Sequence, residues 1–249
     1  MRFTGKVALI TGAGSGIGRA VAVRLASEGA AVLGHDLNAE GVEGTAKLVA
    51  DAGGRMEVRV GDVSDPAEAA ATVAACVGTF GTLHVLGNVA GIARGEHITD
   101  VTVEQYRRMM GVNADGPFFF SQAAVPHLLE SHGCIVNVAS NAGLMGQAYT
   151  IVYCMTKGAV VQLTRALAME LIKTPVRVNA IAPAGTNTNL TATYTMPADV
   201  DFELMGRYMG MRGMNSPEEV ANVFAFLASD EASSIHGAIV SADRGVTAG

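Results

Sequence analysis

Short apolar runs alternate along the chain with longer stretches of helical period. Val7–Ile10, Ala31–Leu33, Met56–Val60, Leu83–Leu86, Cys134–Val138, Val176–Ile181 and Ala238–Val240 read as strands. Several are apolar nearly throughout, as expected of strands covered on both faces. Between them, Ile17–Glu28, Ala39–Ala52, Pro66–Val77, Val103–Val112, Gly116–Glu130, Val152–Leu171 and Pro217–Ala228 read as helices. Ser216-Pro217-Glu218-Glu219 is a helix start: an N-cap, Pro at the first position, then acids near the positive end of the dipole. The alternation predicts an α/β fold, a doubly wound (Rossmann-type) parallel seven-stranded sheet with helices on both faces. No Pro/Ser-rich linker, repeat or low-complexity tract interrupts it, so residues 1–249 are expected to form a single domain. One long stretch, Pro183–Ser216, lacks regular period and carries five of the twelve methionines. A segment this long inside a compact domain is more often functional than idle, and it is the candidate substrate lid.

Composition narrows the function classes. Hydrophobic residues make up 49% of the chain and aromatics 5%, with no Trp, which fits small side chains packed between helices and a buried sheet. The net charge of -6 argues against a nucleic-acid or anionic-membrane partner, because those need basic patches. The longest basic cluster, Arg107-Arg108, reads as a solvated helix face. Cys76, Cys134 and Cys154 are too few and too scattered for a disulfide framework or a metal site. With no signal-peptide pattern and no long apolar run, a cytoplasmic setting is expected.

The first candidate chemistry is a glycine loop, Thr11-Gly12-Ala13-Gly14-Ser15-Gly16-Ile17-Gly18, between the first strand and the first helix. Glycines let a backbone turn sharply and approach a pyrophosphate, whose charge sits at the helix N-terminus. A glycine motif alone is a weak signal; the strand before it and the helix after it supply the required context. The second strand ends in Gly34-His35-Asp36, where a carboxylate accepts hydrogen bonds from an adenosine ribose. Asp36 would repel a 2′-phosphate, and Leu37-Asn38 bring no cation to accommodate one, so the pattern favours NAD over NADP. The competing reading makes Asp36 a cap of the next helix. His35 reads as a packed or solvated side chain.

The second is Tyr153-Cys154-Met155-Thr156-Lys157, which puts a phenol and an ammonium on one helix face. A tyrosine with its ordinary pKa near 10 is a poor acid-base group at neutral pH. A nearby ammonium and the positive ring of an oxidised nicotinamide would stabilise the phenolate and lower that pKa. Alone the pair is also consistent with a surface contact. Ser140, thirteen residues upstream and just past a strand, would face the same crevice, since ligands of open α/β sheets bind beyond the carboxyl ends of the strands. Asn113 lies in a helical stretch with apolar neighbours, either as a structural bond-maker or as the holder of a water beside Lys157.

Taken in order, these motifs make the chain resemble the short-chain dehydrogenase/reductase family, in its short single-domain branch, over essentially its whole length. Thr11–Gly18 is similar to the family's Thr-Gly-x-x-x-Gly-x-Gly loop, Asp62-Val63 to its adenine-contacting pair, and Asn88-Val89-Ala90-Gly91 to its Asn-Asn-Ala-Gly loop. Asn113, Ser140, Tyr153 and Lys157 fall on its catalytic tetrad. The resemblance implies that Tyr153 transfers a proton to or from the substrate oxygen, Ser140 orients that oxygen, and Lys157 holds the nicotinamide ribose and lowers the Tyr153 pKa. It implies that Asn113 anchors a water linking Lys157 to solvent. The implied NAD contacts are Gly12, Ser15, Gly16, Ile17, Gly18, Asp36, Asp62, Val63, Asn88, Ala90, Gly91, Tyr153, Lys157, Thr186 and Thr188. It further implies a small-molecule alcohol or ketone substrate and a homotetramer.

Three departures from the family pattern stand out: Ala184 within Pro183-Ala184-Gly185, Val89 for the second Asn, and Arg244 in Asp243-Arg244-Gly245 where the family has Asp-Gly-Gly. If position 184 needs a positive φ, Ala is strained there or the turn shifts. The primary expectation is a dehydrogenase moving a hydride between NAD(H) and a secondary alcohol or ketone. The alternatives are a 3-oxoacyl-carrier-protein-type reductase, which Asp36 opposes, and a non-catalytic NAD-binding sensor or scaffold, which an intact tetrad opposes.

Overall fold

A computed structural model describes residues 1–248. Seven strands form one wholly parallel sheet in the order β3-β2-β1-β4-β5-β6-β7. They are β1 Val7–Thr11, β2 Ala31–Asp36, β3 Arg55–Val60, β4 Val85–Asn88, β5 Cys134–Val138, β6 Arg177–Pro183 and β7 Ile239–Ala242. The helices are α1 Gly16–Ser27, α2 Ala39–Asp51, α3 Pro66–Phe80, α4 Val103–Met110, α5 Gly116–Ser131, α6 Ile151–Glu170, α7 Asn189–Ala192, α8 Phe202–Gly206 and α9 Pro217–Ala228.

The near-continuous apolar strands are explained by cover on both faces. Successive residues of β1 point opposite ways. Ala8 and Ile10 join a core with Leu25 of α1, Val42 of α2 and Phe224 of α9. Val7 and Leu9 join a second core with Val73 of α3, Phe120 and Leu128 of α5 and Ala168 of α6. The strand order reverses between β1 and β4, which opens a crevice at their carboxyl ends. Among the described residues no helix is long and apolar enough to cross a membrane.

Most elements shift by one to three residues at an end, and two of the differences have an identifiable reason. The fourth strand begins at Val85 rather than Leu83. His84 Nδ1 accepts the Val7 N–H at 3.0 Å, so a side chain takes the place of the first ladder acceptor. The helix expected to reach Val112 ends at Met110, and Gly111–Asp115 form a π-turn before α5. Such single-turn bulges release the backbone from its regular bonding and often accompany functional residues; this one carries Asn113. The irregular stretch 183–216 also holds two short helices, α7 and α8, too brief to leave a period in the sequence.

Candidate active site

The crevice at the carboxyl ends of β1 and β4 is a cavity of about 700 Å³. Its floor is the glycine loop. Gly12 turns the chain at φ 69, and a Cβ there would sit 2.8 Å from Ala90 Cα. Any side chain at Gly18 would overlap the Gly12 carbonyl. The Thr11 hydroxyl accepts the N–H groups of Val89 at 3.0 Å and Ala90 at 3.2 Å, which ties the ends of β1 and β4 together. Because position 89 bonds through its backbone, Val serves there as well as Asn. At the start of α1 the Ser15 side chain makes no capping bond and the first turn carries no acid. Its leading amides are therefore free for a ligand's anion, as a dinucleotide pyrophosphate requires.

Asp36, at the end of β2, accepts from Gly14 N and from Asn38 N, each at 2.8 Å. The cap of α2 is Asn38, whose side chain accepts from Gly41 N at 3.1 Å, so the capping reading of Asp36 falls. His35 is fully buried, edge-on to Phe120 at 5.4 Å between centroids and 3.5 Å from Glu68, a packed side chain as expected. Farther along the same end, Asp62 accepts from Ser64 N at 2.9 Å, Ser64 Oγ at 2.7 Å and Arg108 Nη1 at 2.6 Å. Burial pushes the Asp62 carboxyl up, but the bonds from Ser64 and Arg108 together outweigh it and the pKa falls. Arg107 and Arg108 are both exposed, as a solvated helix face requires; Arg108 in addition pairs with Asp62 and lines the cavity. Nothing in a lone Arg-Arg pair signals a partner forty-six residues away.

At the other end, beyond β5, stand Ser140, Tyr153 and Lys157, all on the cavity wall. Ser140 Oγ accepts from Ala142 N at 3.1 Å and lies 3.2 Å from Asn141 Oδ1, which fixes the hydroxyl at the mouth of β5. Lys157 Nζ donates to Val138 O at 2.8 Å and lies 5.8 Å from the centroid of the Tyr153 ring. Burial alone lowers the Lys157 pKa to about 8. Burial likewise pushes the Tyr153 phenol above its ordinary value, with Ser140 working in the opposite direction. The expectation that Lys157 lowers the Tyr153 pKa is thus corrected for the protein by itself. The ammonium is itself disfavoured by burial, and desolvation of the phenolate is the larger effect.

Two expected site residues stand behind the wall. Asn88 does not reach the cavity. Its Nδ2 donates to Asn137 Oδ1 at 2.8 Å and to Ser121 Oγ at 3.1 Å, while its Oδ1 is buried without a partner. Its side chain braces β4 against β5 and α5. The Asn113 amide is also engaged: Oδ1 accepts from Ile92 N at 2.8 Å, and Nδ2 donates to Ile92 O at 2.8 Å and Thr156 Oγ1 at 3.1 Å. These bonds make it a structural bond-maker and leave Oδ1 a second acceptor position, which a water could take. The other expected contacts, Gly12, Ser15, Gly16, Ile17, Gly18, Asp36, Asp62, Val63, Ala90, Gly91, Thr186 and Thr188, all line the cavity.

The roof is the segment 183–216. Thr186 Oγ1 donates to Ala184 O at 3.0 Å, and Thr188 packs on Gly16 of the glycine loop. Ala184 is not among the residues with positive φ, so the expected strain is absent. Farther out the roof is pinned at four points. Gly95 N donates to Thr195 O at 2.9 Å, His97 Nε2 meets Asp199 at 2.9 Å, Asp201 N donates to the Tyr149 hydroxyl at 2.8 Å, and the Tyr208 hydroxyl donates to Ala148 O at 3.0 Å. Tyr149 holds its position at φ 65, rare for a bulky residue. Tyr194, Tyr208, Met205, Met209 and Met214 close the chamber beside Tyr153. Sequence reasoning flagged the methionines but missed the two tyrosines, whose inward direction depends on these pins.

Over residues 12–247 the chain matches a family model described as enoyl-(acyl carrier protein) reductase. It is 41% identical over 248 residues to the meso-2,3-butanediol dehydrogenase of Serratia marcescens, covering 100% of this chain and 97% of that protein. It is 40% identical over 250 residues to a 2,5-dichloro-2,5-cyclohexadiene-1,4-diol dehydrogenase of Sphingobium indicum, covering 100% and 98%. Its fold superposes on a short chain dehydrogenase from Mycobacterium paratuberculosis bound to NAD with a TM-score of 0.93, 30% identity and 100% coverage of both chains. The glycine loop, the Ser140, Tyr153 and Lys157 cluster and these full-length matches agree: the chain belongs to the short-chain dehydrogenase/reductase family.

Proposed function

We propose that this protein is an NAD(H)-dependent oxidoreductase acting on secondary alcohols and the corresponding ketones. The observation that carries the reading is the convergence, in one cavity, of a free helix N-terminus, the Asp36 carboxylate and the Ser140, Tyr153 and Lys157 side chains. Asp36 receives the adenosine ribose, and its negative charge disfavours a 2′-phosphate. Asp62, held by Ser64 and Arg108, and Val63 flank the adenine. Thr186 and Thr188 receive the nicotinamide carboxamide, assisted by the backbone at Ala90 and Gly91. When bound, the nicotinamide supplies or accepts the hydride.

The chain's own residues handle the proton. Tyr153 is the acid-base: its hydroxyl protonates the carbonyl oxygen in reduction and takes the alcohol proton in oxidation. Ser140 donates to the same oxygen and holds it against Tyr153. Lys157 binds the nicotinamide ribose hydroxyls and adds positive charge near the phenol. Asn113 fixes Ile92 and Thr156, so it holds the wall that shapes the route from Lys157 to solvent. The lid at 183–216 excludes water from the chamber during transfer.

The named relatives act on a butanediol and a cyclohexadiene diol. A small secondary alcohol of this kind suits a chamber walled by Tyr194, Tyr208 and methionines. Val103 and Tyr106 on α4 and Phe118 and Leu129 on α5 are exposed apolar side chains, which supports assembly as a homotetramer. We place the enzyme in the cytoplasm, with no nucleic-acid or membrane partner. The test is a screen for NADH formation against cyclic alcohols, diols, steroids, sugars and hydroxyacyl esters, run in parallel with NADP. Turnover of a secondary alcohol with NAD preferred is expected. Preference for NADP with hydroxyacyl esters would favour the 3-oxoacyl reductase, and cofactor binding without any turnover would favour a sensor.

A further inference from the structure

Arg244 is one of three residues other than glycine with a positive φ among the described residues, at 55°. The turn that holds it is fixed from both sides: Asp243 is 4% exposed and accepts from Gly245 N at 3.0 Å and Thr247 N at 2.9 Å. A left-handed arginine is disfavoured on its own, so something in the surroundings holds it. Its guanidinium touches three residues, two on the returning limb of the lid and one in the first turn of α9. Nε donates to Asn215 Oδ1 at 2.9 Å, and Nη1 donates to Arg212 O at 3.1 Å. Nη2 meets both oxygens of Glu219 at 2.7 and 2.6 Å. The planar fork of arginine allows all of these at once.

Asn215 is the junction where the two limbs of the lid meet. It is 6% exposed. Asn215 N donates to Gly185 O at 2.9 Å, and Asn187 N donates to Asn215 O at 2.9 Å. Its side chain bridges Ala242 O, at 2.8 Å from Nδ2, and Arg244. Gly185 and Thr186, zipped to Asn215 in this way, line the cavity, and Met214 packs beneath Gly185. Glu219, the third partner of Arg244, also accepts from Ser216 N at 2.8 Å at the first turn of α9. Arg244 itself does not line the cavity.

We propose that Arg244 is a positioning residue that sets the root of the lid and, through Asn215, the Gly185–Asn187 backbone that receives the nicotinamide end of the cofactor. The proposal rests on the reading of the cavity as a dinucleotide site. Without Nε, the buried Asn215 oxygen loses its donor and the returning limb loses its fastening at Arg212, while the adenosine end, across the cavity, keeps every contact. The effect is therefore confined to the nicotinamide half. An ion pair with Glu219 alone would do little, since exposed pairs of this kind contribute little.

The experiment compares binding of NADH, by its fluorescence, with binding of ADP-ribose, which shares the adenosine end and lacks nicotinamide. Arg244→Gly suits the positive φ and keeps the turn. It is expected to weaken NADH binding about tenfold, the worth of one charged hydrogen bond, and to leave ADP-ribose binding unchanged. KM for NAD should rise more than kcat falls, and amide exchange should quicken at residues 185–188 and 210–215. Arg244→Lys keeps a charge for Glu219 but loses the fork, and is expected to resemble Arg244→Gly. Glu219→Gln leaves the bonds to Asn215 and Arg212 and should hold NADH binding within about twofold. Equal loss of NADH and ADP-ribose, loss of neither, or full rescue by Arg244→Lys would overturn the proposal. An unmodified protein that binds NADH yet oxidises no alcohol would instead count against the proposed function and leave this comparison intact.

Discussion

Lys157 is 4% exposed, and burial alone takes its pKa from 10.5 to about 8. That drop converts to about 3 kcal/mol spent on keeping the ammonium charged inside the fold. Replacing it with methionine, which fits the same volume, removes the penalty. It also removes the ammonium's bond to Val138 O, worth about 2 kcal/mol for a charged donor. Lys157→Met should therefore stabilise the protein without cofactor by about 1 kcal/mol near neutral pH, or raise Tm by about 2–4 °C for a chain of this length. The pH dependence follows from the sign. The folded-state pKa lies below the unfolded one, so the penalty is complete below pH 8. It fades between pH 8 and 10.5, where the folded protein has released a proton that the unfolded chain still binds. The unmodified protein should gain stability through that window and the variant should not. Urea unfolding of both proteins across the window measures the gap, which should close as pH rises. A variant less stable than its parent at neutral pH, or a gap that ignores pH, would refute the reasoning. The same substitution should abolish turnover, placing Lys157 among residues kept for function at a cost in stability.

Three further outcomes are expected. Asp36→Ala should narrow the preference for NADH over NADPH about tenfold or more by removing a repulsive carboxylate, read from initial rates with each cofactor; an unmodified enzyme that favours NADPH would contradict it. Gly91→Ala would place a Cβ 3.4 Å from Asn113 Oδ1 and 3.5 Å from Lys157 Nζ, filling the space between them. It should lower kcat and weaken NADH binding with the circular dichroism unchanged, and an unaltered kcat would show that no proton or water passes there. Because burial raises the Tyr153 pKa, alcohol oxidation, which needs the phenolate, should accelerate as pH rises above neutrality, and ketone reduction should slow; pH-rate profiles in both directions check this.

Much of the frame was legible because its causes are local. Strands buried on both faces must be apolar throughout, so the order of elements could be read directly, and Cys134–Val138 and Pro217–Ala228 fall at their expected bounds. The glycine loop was readable because only glycine tolerates the approach of Gly12 to Ala90. What escaped depends on contacts between distant segments. Arg108 is the surface charge it looked like, but its pairing with Asp62 depends on the fold. Asn88 looked like a cofactor contact, yet its amide is turned toward Asn137 and Ser121. The π-turn at Asn113 leaves no periodic mark over five residues. The lid's course is set by single bonds to Gly95, His97, Tyr149 and Ala148, none of which a pattern of hydrophobic positions encodes. Arg244 was visible as a departure, but its partners were not.

The account turns on the Tyr153 hydroxyl as the group that moves the proton. The direct measurement is turnover of a secondary alcohol with NAD by Tyr153→Phe, alongside NADH binding by fluorescence. Only the hydroxyl is lost, so binding should stay near that of the unmodified enzyme while kcat falls about 10²–10⁴-fold, the contribution of a positioned acid-base group. A variant that binds NADH and still turns over at the parent rate would contradict the mechanism.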